Sequence, residues 1–471
     1  MVFSSLVFLC VFLPVVFVLY TIIPSLRAKN ALLIIASLLF YAYGEPVYVL
    51  LMIASAVINY ACARLAGSGE KAKRRAFLIL AVVLNIGILA VFKYTGFFIQ
   101  SINNVTGAGI RVPDIKLPIG ISFFTFQALS YVIDVYRERI DVQKNFFYVL
   151  LYISFFPQLI AGPIVRYRDI EKSITDRRQD PQEVAEGIRR FIAGLAKKVL
   201  IANTMGACAD AVFAAAPADV NAALAWLGAA AYLFQIYFDF SGYSDMAIGL
   251  GHMFGFSFKE NFLYPYGAVS IQDFWRKWHI SLSTWFKEYL YIPLGGNRKG
   301  KGRTALNRII VFFLTGLWHG ANWTFVLWGL YHGFFLLLET YFPFTKKIPR
   351  WLGHIYAVLV VCVGFVMFRA ETVGQGFLMI GKMFTGFSAN AGAASLFMQQ
   401  MTPWFITMFI TAVFACTPVR AVRKRLFGEN VTGRAAAVRE TALYIFAFAL
   451  LAWCIIRLSG ASYNPFIYFR F

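Results

Sequence analysis

The sequence predicts an all-α polytopic membrane protein, and three observations carry that prediction. Of the 471 residues, 59% are hydrophobic and 18% aromatic, while only 14% are charged. Apolar runs recur from residue 3 to the C-terminal end, at the length of helices rather than as ten-residue alternating strands. Backbone groups inside a bilayer must find their partners internally, which leaves α-helices as the spanning element. The same composition excludes a soluble enzyme.

The net charge of +21, from 44 Lys+Arg against 23 Asp+Glu, would raise nucleic acid as a partner in a soluble domain. Here the basic residues sit in short loops beside apolar runs. They report topology and contact with anionic membrane lipids, and no nucleic-acid partner is expected. Six cysteines (Cys10, Cys62, Cys208, Cys362, Cys416, Cys454) are scattered singly with no C-x-x-C pair. That pattern reads as small buried hydrophobes, with neither a metal site nor a disulfide expected.

Residues 3 to 22 ("FSSLVFLCVFLPVVFVLYTI") lack a basic n-region and a cleavage site, so a retained first helix is expected. Positive charge at Arg27/Lys29 and at Lys71/Lys73/Arg74/Arg75 places those loops in the cytoplasm and "YGEPV" (43 to 47) opposite. Residues 76 to 98 lead out, 99 to 116 form an external loop, and 117 to 136 lead back to Arg137, Arg139 and Lys144. The run 146 to 161 has basic loops on both sides, which predicts a re-entrant segment broken at Pro157 and "AGP" (161 to 163).

Helices follow at 186 to 214 and 222 to 240, then Gly251 and Gly255 at a spacing that suits close helix packing. Residues 271 to 290 read as one amphipathic or partly inserted helix, and 295 to 303 as a basic cytoplasmic loop. Beyond the central run come 352 to 369, a mixed external stretch to 402, then 403 to 416. A basic cytoplasmic loop (418 to 439, with Arg420, Arg423, Lys424 and Arg425) and a last span at 440 to 459 complete the chain. No linker or repeat interrupts it, so a single membrane domain over 1–471 is expected, with about eleven spans.

Within the central run stands "GLWHGANW" (316 to 323), which sets His319 beside Asn322. Counting up the helix from Arg308 puts His319 about 16 Å into a ~30 Å hydrocarbon core. Ionisable groups at that depth are costly and mark a pathway or a reaction. Gly316 and Gly320 allow a bend or a close approach of another backbone or a ligand. His279, in "WRKWHISLS", shares its expected helix with Asp273, Arg276 and Lys277, has Ser283 one turn on, and is expected to be the better solvated histidine.

His252, His332 and His354 read instead as structural hydrogen-bonding residues. No H-x-x-x-H spacing supports zinc. Asp239 and Asp245 in "YFDFSGYSD", and Asp134, lie at the ends of apolar runs, where ion pairing or capping competes with a role in the site.

Neutral imidazole can take a proton from a hydroxyl, so a buried His suits acyl transfer, with Asn322 or an indole N–H such as that of Trp318 as oxyanion donor. A proton-coupled transporter fits the same residues.

Five motifs in order, "LPIGISFFTFQALSYVIDVYR" (117 to 137), "FFPQLIAGPIVRY" (155 to 167), "YFDFSGYSDMAIGLGHMFGF" (237 to 256), "DFWRKWHISLSTWFKEYLYIPLGGNR" (273 to 298) and "GLWHGANWTFVLWGLYHG" (316 to 333), resemble the membrane-bound O-acyltransferase family. They are most similar to its alginate O-acetylase branch. Residues 117–340 are the most characteristic part, and the "NPFIYFRF" end extends the likeness.

The resemblance implies a helical bundle around a tunnel, with His319 as the catalytic histidine and His279 as the second active-site position. His319 is accordingly the expected general base, and His279 is expected to assist or position. It implies acetyl-CoA as a donor substrate, no permanently bound cofactor, and a bacterial inner-membrane location. It also implies transfer to a separate extracytoplasmic acetyltransferase-type protein, because no G-x-S-x-G elbow is present. Arg276, Lys277 and the 295 to 303 loop are candidate contacts for donor phosphates. Peptidoglycan O-acetylation and the teichoic-acid D-alanyl branch share these elements.

Overall fold

The computed structural model describes residues 1–418, 434–460 and 463–467, and these contain helices and no strand. The basic residues Arg420, Arg423, Lys424 and Arg425 lie outside the described residues. Among the described residues, six helices are long and apolar enough to cross a membrane: Tyr48–Ala66, Lys71–Thr106, Pro181–Phe213, Ala222–Met253, Arg350–Arg369 and Ala437–Gly460. Three shorter apolar helices, Phe8–Ile22, Ile121–Tyr136 and Pro403–Ala415, add to them. The other apolar runs of the sequence fall on helices that are short or carry charge, among them Gly300–His319.

The chain forms two compact units, one of Met1–Phe191 with Met246–Lys259, the other of Ile192–Asp245 with Glu260–Phe471. In the first, Asn59 and Asn85 exchange amide hydrogen bonds of 3.1 and 2.9 Å between Tyr48–Ala66 and Lys71–Thr106. Both side chains are buried, and a reciprocal amide pair satisfies polar groups that lipid could not. Asp134 is buried beside Arg139 and Arg168, at 3.6 and 3.8 Å.

The segment expected to re-enter is a helix Phe146–Ser154, a break at Phe155, and a single turn Phe156–Leu159. Pro157 lies in the first turn of that second piece, where its missing N–H costs nothing, rather than at the break. A nine-residue helix is about 14 Å long, less than half of a hydrocarbon core. Residues 160 to 166 are non-helical and all buried, the setting that irregular backbone at membrane depth requires.

Several boundaries move. The helix expected to end at 98 runs on to Thr106, so the loop before Ile121 is shorter than the 99 to 116 expected. The stretch to 402 contains two helices, Val373–Thr385 and Ala391–Gln400.

The helix expected over 222 to 240 continues to Met253, through the polar "SGYSD". That stretch reads as an ending only because its partners are distant in sequence. In the second unit, Lys198 meets Asp239 at 2.8 Å and Lys197 meets Asp245 at 2.6 Å. Gly242 makes this approach possible: a Cβ there would lie 2.7 Å from the Gly194 carbonyl oxygen.

Gly251 and Gly255 are not the packing pair. Gly251 faces Phe256 and Phe258, and Gly255 has φ +77, the left-handed conformation that follows a helix end.

Candidate active site

The second unit builds a site from three pieces of backbone. Gly300–His319 and Trp323–Tyr341 form a tight helical hairpin, in which Cβ atoms on Gly316 and Gly329 would overlap the carbonyl oxygens of Phe325 and Phe312. Bare glycine surfaces therefore set the helix separation, and His319 ends the first helix at the closed end of the hairpin. Gly316→Ala should force the two backbones apart, at a cost of about 1–3 kcal/mol for an overpacked contact. The check is a lowered unfolding midpoint in detergent, and an unchanged midpoint would mean that the hairpin is looser than its geometry.

The second piece corrects a sequence expectation. Residues 271 to 290 are two short helices, Ile271–Lys277 and Ile280–Phe286, followed by a wider turn at Lys287–Tyr291. His279 sits between the first two with φ 43 and ψ 54, a left-handed conformation that costs a non-glycine residue about 1–2 kcal/mol. Strain of this kind persists only where the surroundings over-determine it. Here they do: Ile280 N–H donates to the Asn261 carbonyl at 3.0 Å, Ser281 N–H to the Asn261 side-chain oxygen at 3.2 Å, and Leu263 N–H to the Lys277 carbonyl at 3.0 Å.

The third piece is the stretch of Ala222–Met253 that carries Ile236, Asp239 and Phe240.

Together they place the His279 and His319 rings 6.4 Å apart, centroid to centroid. His279 is fully buried, not the better solvated of the two as expected, and His319 is 5% exposed. Aromatic rings close around them. Trp318 lies 5.9 Å from His279 and 5.1 Å from His319, Phe240 4.5 Å from His279, and Trp328 and Phe368 5.1 and 5.3 Å from His319. A cavity of about 10 Å³ opens against His319, walled by Phe240, Trp278, Trp328, Phe365 and Ile467. That is room for a group about the size of one water.

The remaining expected residues divide. Asn322 caps Trp323–Tyr341, its Oδ1 accepting from Thr324 N–H at 3.1 Å while its Nδ2 donates to the Glu371 carbonyl at 2.9 Å. Both ends of the amide are committed, so Asn322 is placed as a helix cap and not as an oxyanion donor. Asn322→Ala should cost about 1 kcal/mol of stability with acyl transfer kept. Loss of transfer in a folded variant would return Asn322 to the chemistry.

Ser283 donates its N–H to the His279 carbonyl at 3.1 Å. Lys277 is tied to Asp273 at 2.8 Å, whereas Arg276 is exposed, as are Arg298, Lys299, Lys301 and Arg303 of the basic loop. His354 Nδ1 bonds the Ala268 carbonyl at 3.1 Å, as a structural residue does, and His332 is caged by Trp275, Trp328 and Tyr331.

Asp239 and Asp245 are structural ion-pair partners. Asp239 also accepts from Ile467 N–H at 2.8 Å, and Lys198 donates to the Pro465 carbonyl. With Asn203 Nδ2 to Asn464 Oδ1 at 3.2 Å and Tyr463 Oη to Asp210 at 2.7 Å, this pins the chain end so that Ile467 lines the cavity.

Asn261, Lys198, Phe240 and Trp328 were not singled out as site residues by the sequence. Only Asn261, a polar side chain in "ENFLYPY" just ahead of the "WHIS" motif, left a trace.

The site thus sets two buried histidines side by side among aromatic rings in a multi-pass helical membrane protein, with His319 bordering the small cavity. The profile of the membrane-bound O-acyltransferase family matches residues 135–373. Over the full length of both chains, the protein is 39% identical to the probable alginate O-acetylase AlgI of Azotobacter vinelandii and 38% to that of Pseudomonas aeruginosa PAO1. It is 38% identical to a peptidoglycan O-acetyltransferase of Helicobacter pylori, over 81% of this chain and 79% of that one. The chain belongs to the membrane-bound O-acyltransferase family, in its alginate O-acetylase-like branch, and is an O-acyltransferase. The transporter reading of the sequence is thereby set aside.

Proposed function

We propose that the protein takes acetyl groups from cytosolic acetyl-CoA and passes them across the bacterial inner membrane to a separate extracytoplasmic protein, which O-acetylates an alginate-like polysaccharide. The observation that carries this reading is the buried His279/His319 pair, with His319 lining a water-sized aromatic cavity, in a chain matched end to end by probable alginate O-acetylases. The exposed Arg276, Arg298, Lys299, Lys301 and Arg303 suit the donor's phosphates.

In the transfer step the acceptor hydroxyl oxygen forms a bond to the thioester carbonyl carbon and the carbon–sulfur bond breaks. The hydroxyl proton passes through an imidazole to the departing thiolate, which leaves as free CoA. One ring of the pair takes the proton while the other faces the charge that develops on the carbonyl oxygen. Excluding water protects the thioester from hydrolysis.

The test is reconstitution in nanodiscs with acetyl-CoA, reading CoA release with and without candidate extracytoplasmic partners. Partner-dependent release, with acetyl recovered on the partner, is expected. Release that needs only a glycan acceptor would overturn the relay to a partner protein, and no release with any acceptor would overturn acetyl-CoA as donor. The likeness to the peptidoglycan O-acetyltransferase makes peptidoglycan the competing polymer, to be run beside alginate.

A further inference from the structure

We propose that Asn261 is a positioning residue that fixes the tautomer of His279, holding its proton on Nδ1 so that Nε2 offers its lone pair to the acceptor hydroxyl. The inference rests on the acyl-transfer reading above and assigns the proton-accepting atom within it.

The identity of each atom follows from its neighbours. Asn261 is fully buried. One end of its amide receives the Ser281 backbone N–H at 3.2 Å and the Ser281 hydroxyl at 2.9 Å. A backbone N–H only donates, so that end is the carbonyl oxygen, Oδ1. The other end, Nδ2, donates to the Ser244 hydroxyl at 3.1 Å.

His279 Nδ1 stands 3.2 Å from the same Oδ1. An amide oxygen cannot donate, and the Ser281 hydroxyl, 3.5 Å from Nδ1, already spends its hydrogen on Oδ1 at 2.9 Å, so the hydrogen between Nδ1 and Oδ1 belongs to Nδ1. A neutral imidazole has one N–H, and Nε2 is therefore unprotonated. Among the described residues Nε2 is buried with no hydrogen-bond partner. A buried acceptor without a partner is a standing cost, and it is relieved by a ligand that donates. A hydroxyl nucleophile donates, whereas a thioester has no hydrogen to give.

The orientation of the ring is fixed by the same residue. The Asn261 main chain receives Ile280 N–H, and its side chain receives Ser281 N–H, so the left-handed backbone of His279 is bracketed from both sides. This is the arrangement of a base held by a third group, with the amide in the orienting position. His279 Nε2 takes the hydroxyl proton as the C–O bond forms and returns it to the thiolate as the C–S bond breaks. His319 becomes the N–H donor to the carbonyl oxygen, so the two histidines exchange the roles expected from the sequence.

Two measurements test the assignment. With only five histidines in the chain, ring ¹⁵N labelling resolves tautomers, and His279→Gln identifies the signal. A protonated Nδ1 and a bare Nε2 are expected in the wild type, and the reverse would overturn the proposal whether or not the enzyme has been given a working acceptor.

In turnover, Asn261→Ala should lower kcat by on the order of 10²–10⁴-fold, the scale of a wrong histidine tautomer in a hydrolase triad, with KM for the donor little changed. Asn261→Asp keeps the acceptor oxygen, so it should recover much of the rate. Its carboxylate favours the imidazolium, so the acid limb of the pH–rate profile should move to higher pH. A merely structural asparagine predicts no such movement. A folded Asn261→Ala enzyme at the wild-type rate, or an Asn261→Asp profile in the wild-type place, would overturn the positioning role. Failure of the wild type to release CoA would instead count against the function.

Discussion

His319→Ala is expected to reduce acetyl transfer to the level of the partner-free background, a loss of at least 10²–10⁴-fold for a general acid–base or oxyanion-stabilising group. The helical signal and detergent elution should remain those of the folded protein. The ring is 5% exposed and packs among Trp318, Trp328 and Phe368, so truncation also opens a hole and lowers stability. His319→Gln, nearer in volume, separates the two effects: it should restore stability, and it recovers rate only so far as an N–H donor is what the site needs. The double variant His279→Ala/His319→Ala should cost little more than either single change, because residues that act as a unit are strongly non-additive. Multiplicative losses would show two independent functions, and transfer by folded His319→Ala at the wild-type rate would remove His319 from the chemistry.

The fold class was legible because it follows from composition and run length, which a bilayer converts directly into helices. Helix ends were less so. A run of polar residues looks the same whether it enters water or meets a partner, and "DFSGYSD" (239 to 245) meets Lys197 and Lys198, more than forty positions away. The central "RKWHISLS" looked like one amphipathic helix because helical periodicity carries no sign of a single left-handed residue. His279 takes that conformation through hydrogen bonds to Asn261, which no local pattern reports.

His319 was legible for the opposite reason: an ionisable group between glycines in an apolar run is anomalous within its own window. For Asn322, its neighbour, the sequence left two roles open, because proximity to a candidate base is shared by caps and by catalytic donors. Only the committed hydrogen bonds to Thr324 and Glu371 tell them apart.

The second large effect belongs to a pair that touches no substrate. Lys198 and Asp239 are 4% and 1% exposed and 2.8 Å apart, and the same carboxylate accepts Ile467 N–H while the same ammonium donates to the Pro465 carbonyl. Removing one member of a buried pair leaves the other charge without compensation, a loss of about 3–5 kcal/mol, whereas replacing both by apolar groups is often near neutral. Lys198→Met should therefore lower the unfolding midpoint sharply and release the chain end from the cavity. Transfer should fall with it, because Ile467 is one wall of that cavity.

Lys198→Met combined with Asp239→Leu should recover most of the stability. It should not recover all, since the Ile467 N–H loses its acceptor at a cost of about 1–3 kcal/mol. Scanning fluorimetry on the three proteins in detergent reads this directly. Equal midpoints for wild type and Lys198→Met would show that the two groups are not an ion pair. A double variant no better than the single would show that the chain end depends on the charges themselves rather than on the absence of an uncompensated one.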